Sequence, residues 1–174
     1  MAMDAAAKRF FASPYFAVVG ASQDQSKFGY KNMATTFSRC SSPGKTVFAW
    51  YHTHSLPVVP INPTRPTIST PSKSYNTVPS VSALPQSAET ALSFLTPPAV
   101  TRKVLQEAQA VGVKAVWLQP GSFEPQDLEY AKNHFESAVG GYEDGTVGGE
   151  GWCVLVDGED ALDAAGRKWG RQKL

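Results

Sequence analysis

The sequence predicts a doubly wound α/β fold, a single three-layer domain built on a five-stranded parallel sheet. Three observations carry this. Short apolar runs alternate with segments of helical period along the chain. The runs end in turns rich in Gly, Pro and Asn. The first run, Phe16-Ala-Val-Val-Gly-Ala-Ser22, has the form in which a buried parallel strand delivers a phosphate-binding turn.

Composition limits the possibilities. A chain of 174 residues with 42% hydrophobic content fills one core and is short for two. The formal net charge of +1 supplies no general field for nucleic acid or an acidic membrane, so anion recognition must be local. Cys40 and Cys153 show no metal-ligand spacing, and His52 and His54 point to different faces of a helix. No metal site is expected. The start, Met-Ala-Met-Asp, lacks a signal-peptide pattern and no apolar run approaches the ~20 residues of a membrane helix, so an intracellular, cytoplasmic protein is expected.

Asp4 caps a first helix through Phe11, which Ser13-Pro14 stops and which should lie across one end of the sheet. A strand over 15–20 follows, expected at the centre of the sheet. The loop 21–30 holds Lys27, Gly29 and Tyr30. Residues 31–43 read as an insertion, and Ser42-Pro43 starts a crossover helix over about 43–54. The second strand is 57–61. Prolines 66, 71, 79 and 85 make 64–87 an irregular crossover with a short helix near Val81–Leu84. The third strand covers 90–95, followed by a helix with Val100, Val104, Ala108 and Val111 on one side and Gly112 as its stop. The fourth strand is 114–118, and a helix over 125–138 follows. Residues 139–150 read as a second insertion, a glycine-rich, acidic and mobile surface loop. Trp152–Val156 is read as the fifth strand, at an edge, and 159–170 as the last helix.

Ligands of such sheets bind outside the carboxyl ends of the strands. That edge collects Gly20, Ala21 and Ser22, Asn62 and Pro63, Thr96, Pro97 and Pro98, and Gln119. Ser22 can donate to a phosphate, Lys27 and Lys31 can supply charge, and Tyr30 can fold over the ligand. Asn62 either bonds a ribose or adenine or closes an Asx turn. A nicotinamide-dinucleotide site usually carries an acid at the end of the second strand, and here Asn62 stands instead. Arg65 keeps NADP open, since a guanidinium can clamp a ribose phosphate. Trp117, mid-strand in an apolar run, belongs to the core. No nucleophile, base and orienting acid converge, so binding is favoured over catalysis.

Five ordered motifs carry a resemblance: Ala17-Val-Val-Gly-Ala-Ser22, Lys27-Phe-Gly-Tyr-Lys31, Val58-Val-Pro-Ile-Asn-Pro63, Phe94-Leu-Thr-Pro-Pro98 and Ala115-Val-Trp-Leu-Gln-Pro-Gly121. Over most of 4–165, apart from the two insertions, the chain resembles the stand-alone CoA-binding domains, which are similar to the amino-terminal domain of the succinyl-CoA synthetase alpha subunit. The resemblance implies a Rossmann-like fold that binds coenzyme A, with the Gly20–Ser22 turn at the cofactor phosphates. It does not imply ligase activity, which in the synthetases also involves a second domain with a phosphohistidine that is not expected from these residues. It also breaks where bacterial relatives tend to carry Asp-Arg-Cys after the fifth strand. Here Asp157 is followed by Gly158 and Glu159.

Three functions therefore compete: a non-catalytic CoA or acyl-CoA binder, an NADP-dependent oxidoreductase using the same site, and a protein-partner module with a vestigial nucleotide site. The edge position of the first turn implies that Gly20→Val removes binding and leaves the chain folded.

Overall fold

The computed structural model describes residues 3–21, 47–69, 73–142, 145–147 and 149–170. In chain order the elements are α1 (Met3–Phe11), β1 (Tyr15–Val19), α2 (Val47–Thr53), β2 (Val58–Ile61), β3 (Thr67–Ser69), β4 (Ser74–Asn76), β5 (Thr90–Phe94), α3 (Pro98–Ala110), β6 (Ala115–Leu118), α4 (Pro125–His134), β7 (Ser137–Val139) and α5 (Val154–Ala164). Five strands form one sheet in the order β2-β1-β5-β6-β7, and every pair is parallel. The predicted α/β fold, three layers around a five-stranded parallel sheet, is the fold observed.

Alternation along the strands divides the core in two. Phe16, Val18, Ala91, Ala115 and Trp117 face one layer, packed with Phe10 and Phe11 of α1, Trp50 and Tyr51 of α2, and Val154 and Leu162 of α5. Ala17, Val19, Leu92, Phe94, Val116 and Leu118 face the other, with Leu105 and Ala108 of α3 and Ala131 of α4. The first layer is aromatic. Phe10 meets Trp117 edge-on at 5.4 Å between ring centroids, and Phe16 stacks on Tyr51 at 5.3 Å. Helix α1 therefore covers a face of the sheet, over β6 and β7, and does not cross its end. Phe10 and Phe11 pack there on Phe16 and Trp117 of the sheet, and Phe11 also meets Trp50 and Tyr51 of α2.

Two sequence expectations fail at the same place. Trp152–Val156 is no strand: α5 begins at Val154, and the fifth strand is Ser137–Val139, where the sequence runs the preceding helix to 138 and opens the insertion at 139. An apolar run of five residues fits a buried strand and a buried helix turn equally, and local capping decides. The Asp157 carboxylate accepts the Cys153 N–H at 2.8 Å, while the Asp157 N–H bonds the Cys153 carbonyl at 2.8 Å. That reciprocal pair starts a helix. Strand β7 is anchored instead by the Ser137 hydroxyl, which donates to the Ala6 carbonyl of α1 at 2.6 Å. With β7 at the edge, β5 is the middle strand and β1 lies second from the opposite edge, not at the centre.

Residues 64–87 are less irregular than expected, since β3 and β4 form an antiparallel hairpin there. Tyr75 of that hairpin packs on Phe48 and His52 of α2. A short 3-10 turn spans Val81–Ala83, where a short helix was expected. The crossover helix is observed at 47–53, and residues 43–46, which the sequence also assigns to it, lie outside the described residues.

The acidic loop before α5 is tied down where it is described. Val147 N–H donates to Asp157 Oδ1 at 2.8 Å, and the Thr146 hydroxyl to Oδ2 at 3.1 Å. Burial raises the Asp157 pKa above its ordinary 3.8, against the lowering effect of the donors from Cys153, Val147 and Thr146. The folded state thus favours the protonated form more than the unfolded state does. Asp157's contribution to stability is complete below 3.8 and is lost as pH rises through the raised folded value. In urea unfolding, the stability difference between wild type and Asp157→Asn should shrink as pH is raised from the acid side of that range to neutrality. A difference that grows with pH would refute the assignment.

Candidate functional site

The strand order reverses between β1 and β5: the chain passes from β1 to β2 on one side and later returns to β5 on the other. In open α/β sheets, that crevice is where ligands lie. Gly20 and Ala21 leave β1 there, and Thr96, Pro97 and Pro98 leave β5. The two turns are close. Gly20 has φ +82°, and a Cβ placed on it would sit 2.8 Å from Thr96 Cγ2 and 3.3 Å from the Leu95 carbonyl carbon and Thr96 N. Only glycine fits, because both its conformation and its neighbour exclude a side chain.

Asn62 closes the Asx turn. Its Oδ1 accepts from Thr64 N–H at 2.9 Å, the Thr64 hydroxyl at 2.9 Å and Arg65 N–H at 3.1 Å. Its Nδ2 donates to the Ala21 carbonyl at 2.9 Å. Asn62 thus ties the end of β2 to the turn after β1, and that side chain positions the loop. Pro63 and Arg65 are exposed beside it.

On the other side of the crevice, Thr96 and Thr101 pair through their hydroxyls at 2.7 Å, and Thr101 also donates to the Thr96 carbonyl at 3.1 Å. Both are buried. This pins the β5 turn to the first turn of α3, whose N-terminus carries Pro98 and faces the carboxyl edge of the sheet. Pro97 and Pro98, half-buried, shape that turn. Thr101 went unnoticed in the sequence. Its signal is a hydroxyl residue one turn into a helix that opens on proline.

Gln119 extends the β5–β6 ladder by one residue, its N–H donating to the Phe94 carbonyl at 3.3 Å. Its side chain is only 2% exposed. Oε1 accepts the Val154 N–H at the start of α5 at 3.1 Å, and Ser122 closes the turn by donating its hydroxyl to the Gln119 carbonyl at 2.7 Å. Cys153, adjacent to Val154, is buried, and burial pushes its thiol up to about 12. That thiol is protonated at neutral pH and acts as a small apolar group.

Of the predicted site residues, Gly20, Ala21, Asn62, Thr96, Pro97, Pro98 and Gln119 gather along one edge, with Pro63 and Arg65 at its β2 end. Ser22, Lys27, Tyr30 and Lys31 lie outside the described residues. Among the described residues, no cluster of His, Cys, Asp or Glu could hold a metal ion. His54, just past the end of α2, is buried, with Nδ1 at 2.7 Å from the Trp50 carbonyl and Nε2 at 2.9 Å from Glu159. Among the described residues, no helix is long and apolar enough to cross a membrane.

With this geometry established, comparison with known proteins settles the family. The sequence profile described as "CoA binding domain" matches residues 36–142, more than half of the chain. The chain belongs to the CoA binding domain family. The match takes in β2, the β5 turn and Gln119, and begins after the Gly20 turn. No curated protein sequence matches the chain.

Among solved structures, a conserved hypothetical protein from Pyrococcus furiosus is 25% identical, with a TM-score of 0.49 over 71% of this chain and 90% of its own. Prb, the PH1109 protein redesigned for binding, is 18% identical, with a TM-score of 0.54 over 79% of this chain and 84% of its own. A hypothetical protein from Pyrococcus horikoshii OT3 is 17% identical, with a TM-score of 0.53 over 80% of this chain and 84% of its own. The last two likenesses concern the fold. For this member of the CoA binding domain family, the residues at the carboxyl edge define the candidate site.

Proposed function

We propose that the protein binds coenzyme A, or an acyl-CoA, in the crevice between the β1 and β5 turns, as a cytoplasmic, single-domain binding or regulatory protein and not as an enzyme. The observation that carries the reading is the coincidence of the family match with the switch point between β1 and β5, where the Gly20 turn comes up against the Thr96 turn. The α3 N-terminus offers favourable electrostatics to a phosphate. On sequence grounds, Ser22, Lys27 and Lys31 are assigned to the phosphates, and Tyr30 to closing over them. Ala21, Pro63 and Pro97 shape the walls. Arg65 is assigned to the ribose 3′-phosphate.

The competing reading is an NADP-dependent oxidoreductase, which would place the 2′-phosphate on Arg65. The family match favours coenzyme A over NADP, while the Asn62 carboxamide oxygen, taken up by the turn at Thr64 and Arg65, does not discriminate between the two. Calorimetric titration with coenzyme A, NADP and NAD separates the two. Saturable binding of coenzyme A in preference to both dinucleotides is expected. Binding of NADP with none of coenzyme A would overturn the proposal.

A further inference from the structure

Gln119 carries an unused hydrogen-bond donor in a place where such groups are costly. Its Oε1 must face the Val154 N–H, because that backbone group can only donate, and this fixes Nε2 as the other terminus of the carboxamide. Nε2 is buried and has no hydrogen-bond partner. A buried donor left unpaired is unfavourable, so few persist without a purpose or a missing acceptor. The residue lies at the carboxyl edge, one strand beyond the β1–β5 crevice, between the Gln119–Ser122 turn and the start of α5.

The acceptor that fits is neutral. Asp157 sits in the first turn of α5, its carboxylate on the Cys153 N–H, so a second anion beside Gln119 would meet like charge. Strands are spaced about 4.8 Å apart, which puts the β6 edge roughly 10 Å from the β1 turn. An extended arm leaving a diphosphate in the crevice covers that distance. The pantetheine arm of coenzyme A carries two neutral amide carbonyls along its length, and each is an acceptor of the required kind.

We infer that Gln119 Nε2 donates to an amide carbonyl of the ligand's pantetheine arm and so selects coenzyme A over nucleotides that share its phosphates but lack that arm. The inference rests on the coenzyme A reading and adds to it the residue that reads the arm. Gln119 is a binding residue with a divided carboxamide: the oxygen holds α5 in place, and the nitrogen reads the ligand.

The test compares coenzyme A with 3′-phospho-ADP, its nucleotide portion without pantetheine, in calorimetric titrations of wild type, Gln119→Met and Gln119→Glu. Gln119→Met keeps side-chain volume and removes the donor. Gln119→Glu keeps the acceptor for Val154 N–H and replaces the donor; because it also alters the charge beside Asp157, its effect is read as the difference between coenzyme A and 3′-phospho-ADP, which carry the same phosphates. Circular dichroism establishes that each variant is folded, and if Gln119→Met does not fold then Gln119→Glu decides. In the folded variant, coenzyme A is expected to lose about tenfold to a hundredfold more affinity than 3′-phospho-ADP does. Unchanged coenzyme A affinity overturns the inference, assigning Nε2 to an internal water, as does equal weakening of both ligands. If wild type itself binds no coenzyme A, it is the underlying reading that fails.

Discussion

Trp117→Ala is expected to lower the stability of the folded chain by about 4–6 kcal/mol, enough to unfold a domain at the low end of the ordinary range of about 5–15 kcal/mol and a large fraction of the total elsewhere in it. Trp117 is fully buried at the middle of β6, with Phe10 at 5.4 Å, Phe11 at 5.8 Å and Trp152 at 6.1 Å between ring centroids. Removing a large aromatic side chain from such a site costs about 3–5 kcal/mol in lost transfer energy and residual cavity. The indole N–H also donates to the Trp152 carbonyl at 3.2 Å, and leaving that acceptor unpaired adds about 1 kcal/mol or more. Trp117→Phe isolates the second effect and should cost much less. Urea unfolding of the two variants checks both. Were Trp117 a platform for a ligand's base, the alanine variant would lose binding and keep its stability.

Gly20→Val is expected to cost about 2–5 kcal/mol in stability and to abolish ligand binding. From the sequence the turn lies at an open edge, where strain is tolerable and folding should survive. The structure revises that expectation because the space a side chain needs is held by Thr96, with Cγ2 2.8 Å from the Cβ position. A left-handed φ costs an ordinary residue about 1–2 kcal/mol, and a β-branched one more. Overpacking against Thr96, itself held by Thr101, adds about 1–3 kcal/mol. Gly20→Ala should show the same sign at smaller size. A Gly20→Val protein with wild-type stability in urea would show that the β1 and β5 turns are not packed as described.

What the sequence revealed of this fold follows from how local each signal is. Four strands were legible because Val, Leu, Phe and Trp runs end in glycine, proline or asparagine, whose backbone preferences act within a few residues. The same locality made the carboxyl-edge turns legible as a site. Strand β7 was hidden because Ser-Ala-Val is too short to show a period and is held by α1, far away in the chain. The run 152–156 misled because its apolar residues suit either element, and the deciding contact is the Asp157 carboxylate on a backbone N–H four residues back. Hairpin β3–β4 was missed for a similar reason, each strand having three residues and its packing partner lying on α2. The Gln119–Val154 bond joins positions 35 apart in sequence, and no local pattern announces it.

The central claim, that the ligand lies across the carboxyl edge at the β1–β5 switch, is tested most directly by titrating isotope-labelled protein with coenzyme A and following the backbone amide resonances. The account predicts that the largest shifts fall on Gly20, Ala21, Asn62, Thr96, Ala99 and Gln119, with those at the opposite end of the strands, such as Tyr15, Thr90 and Ala115, unmoved. Saturable shifts confined to the amino-terminal end of the sheet, or to the β3–β4 hairpin, would contradict it.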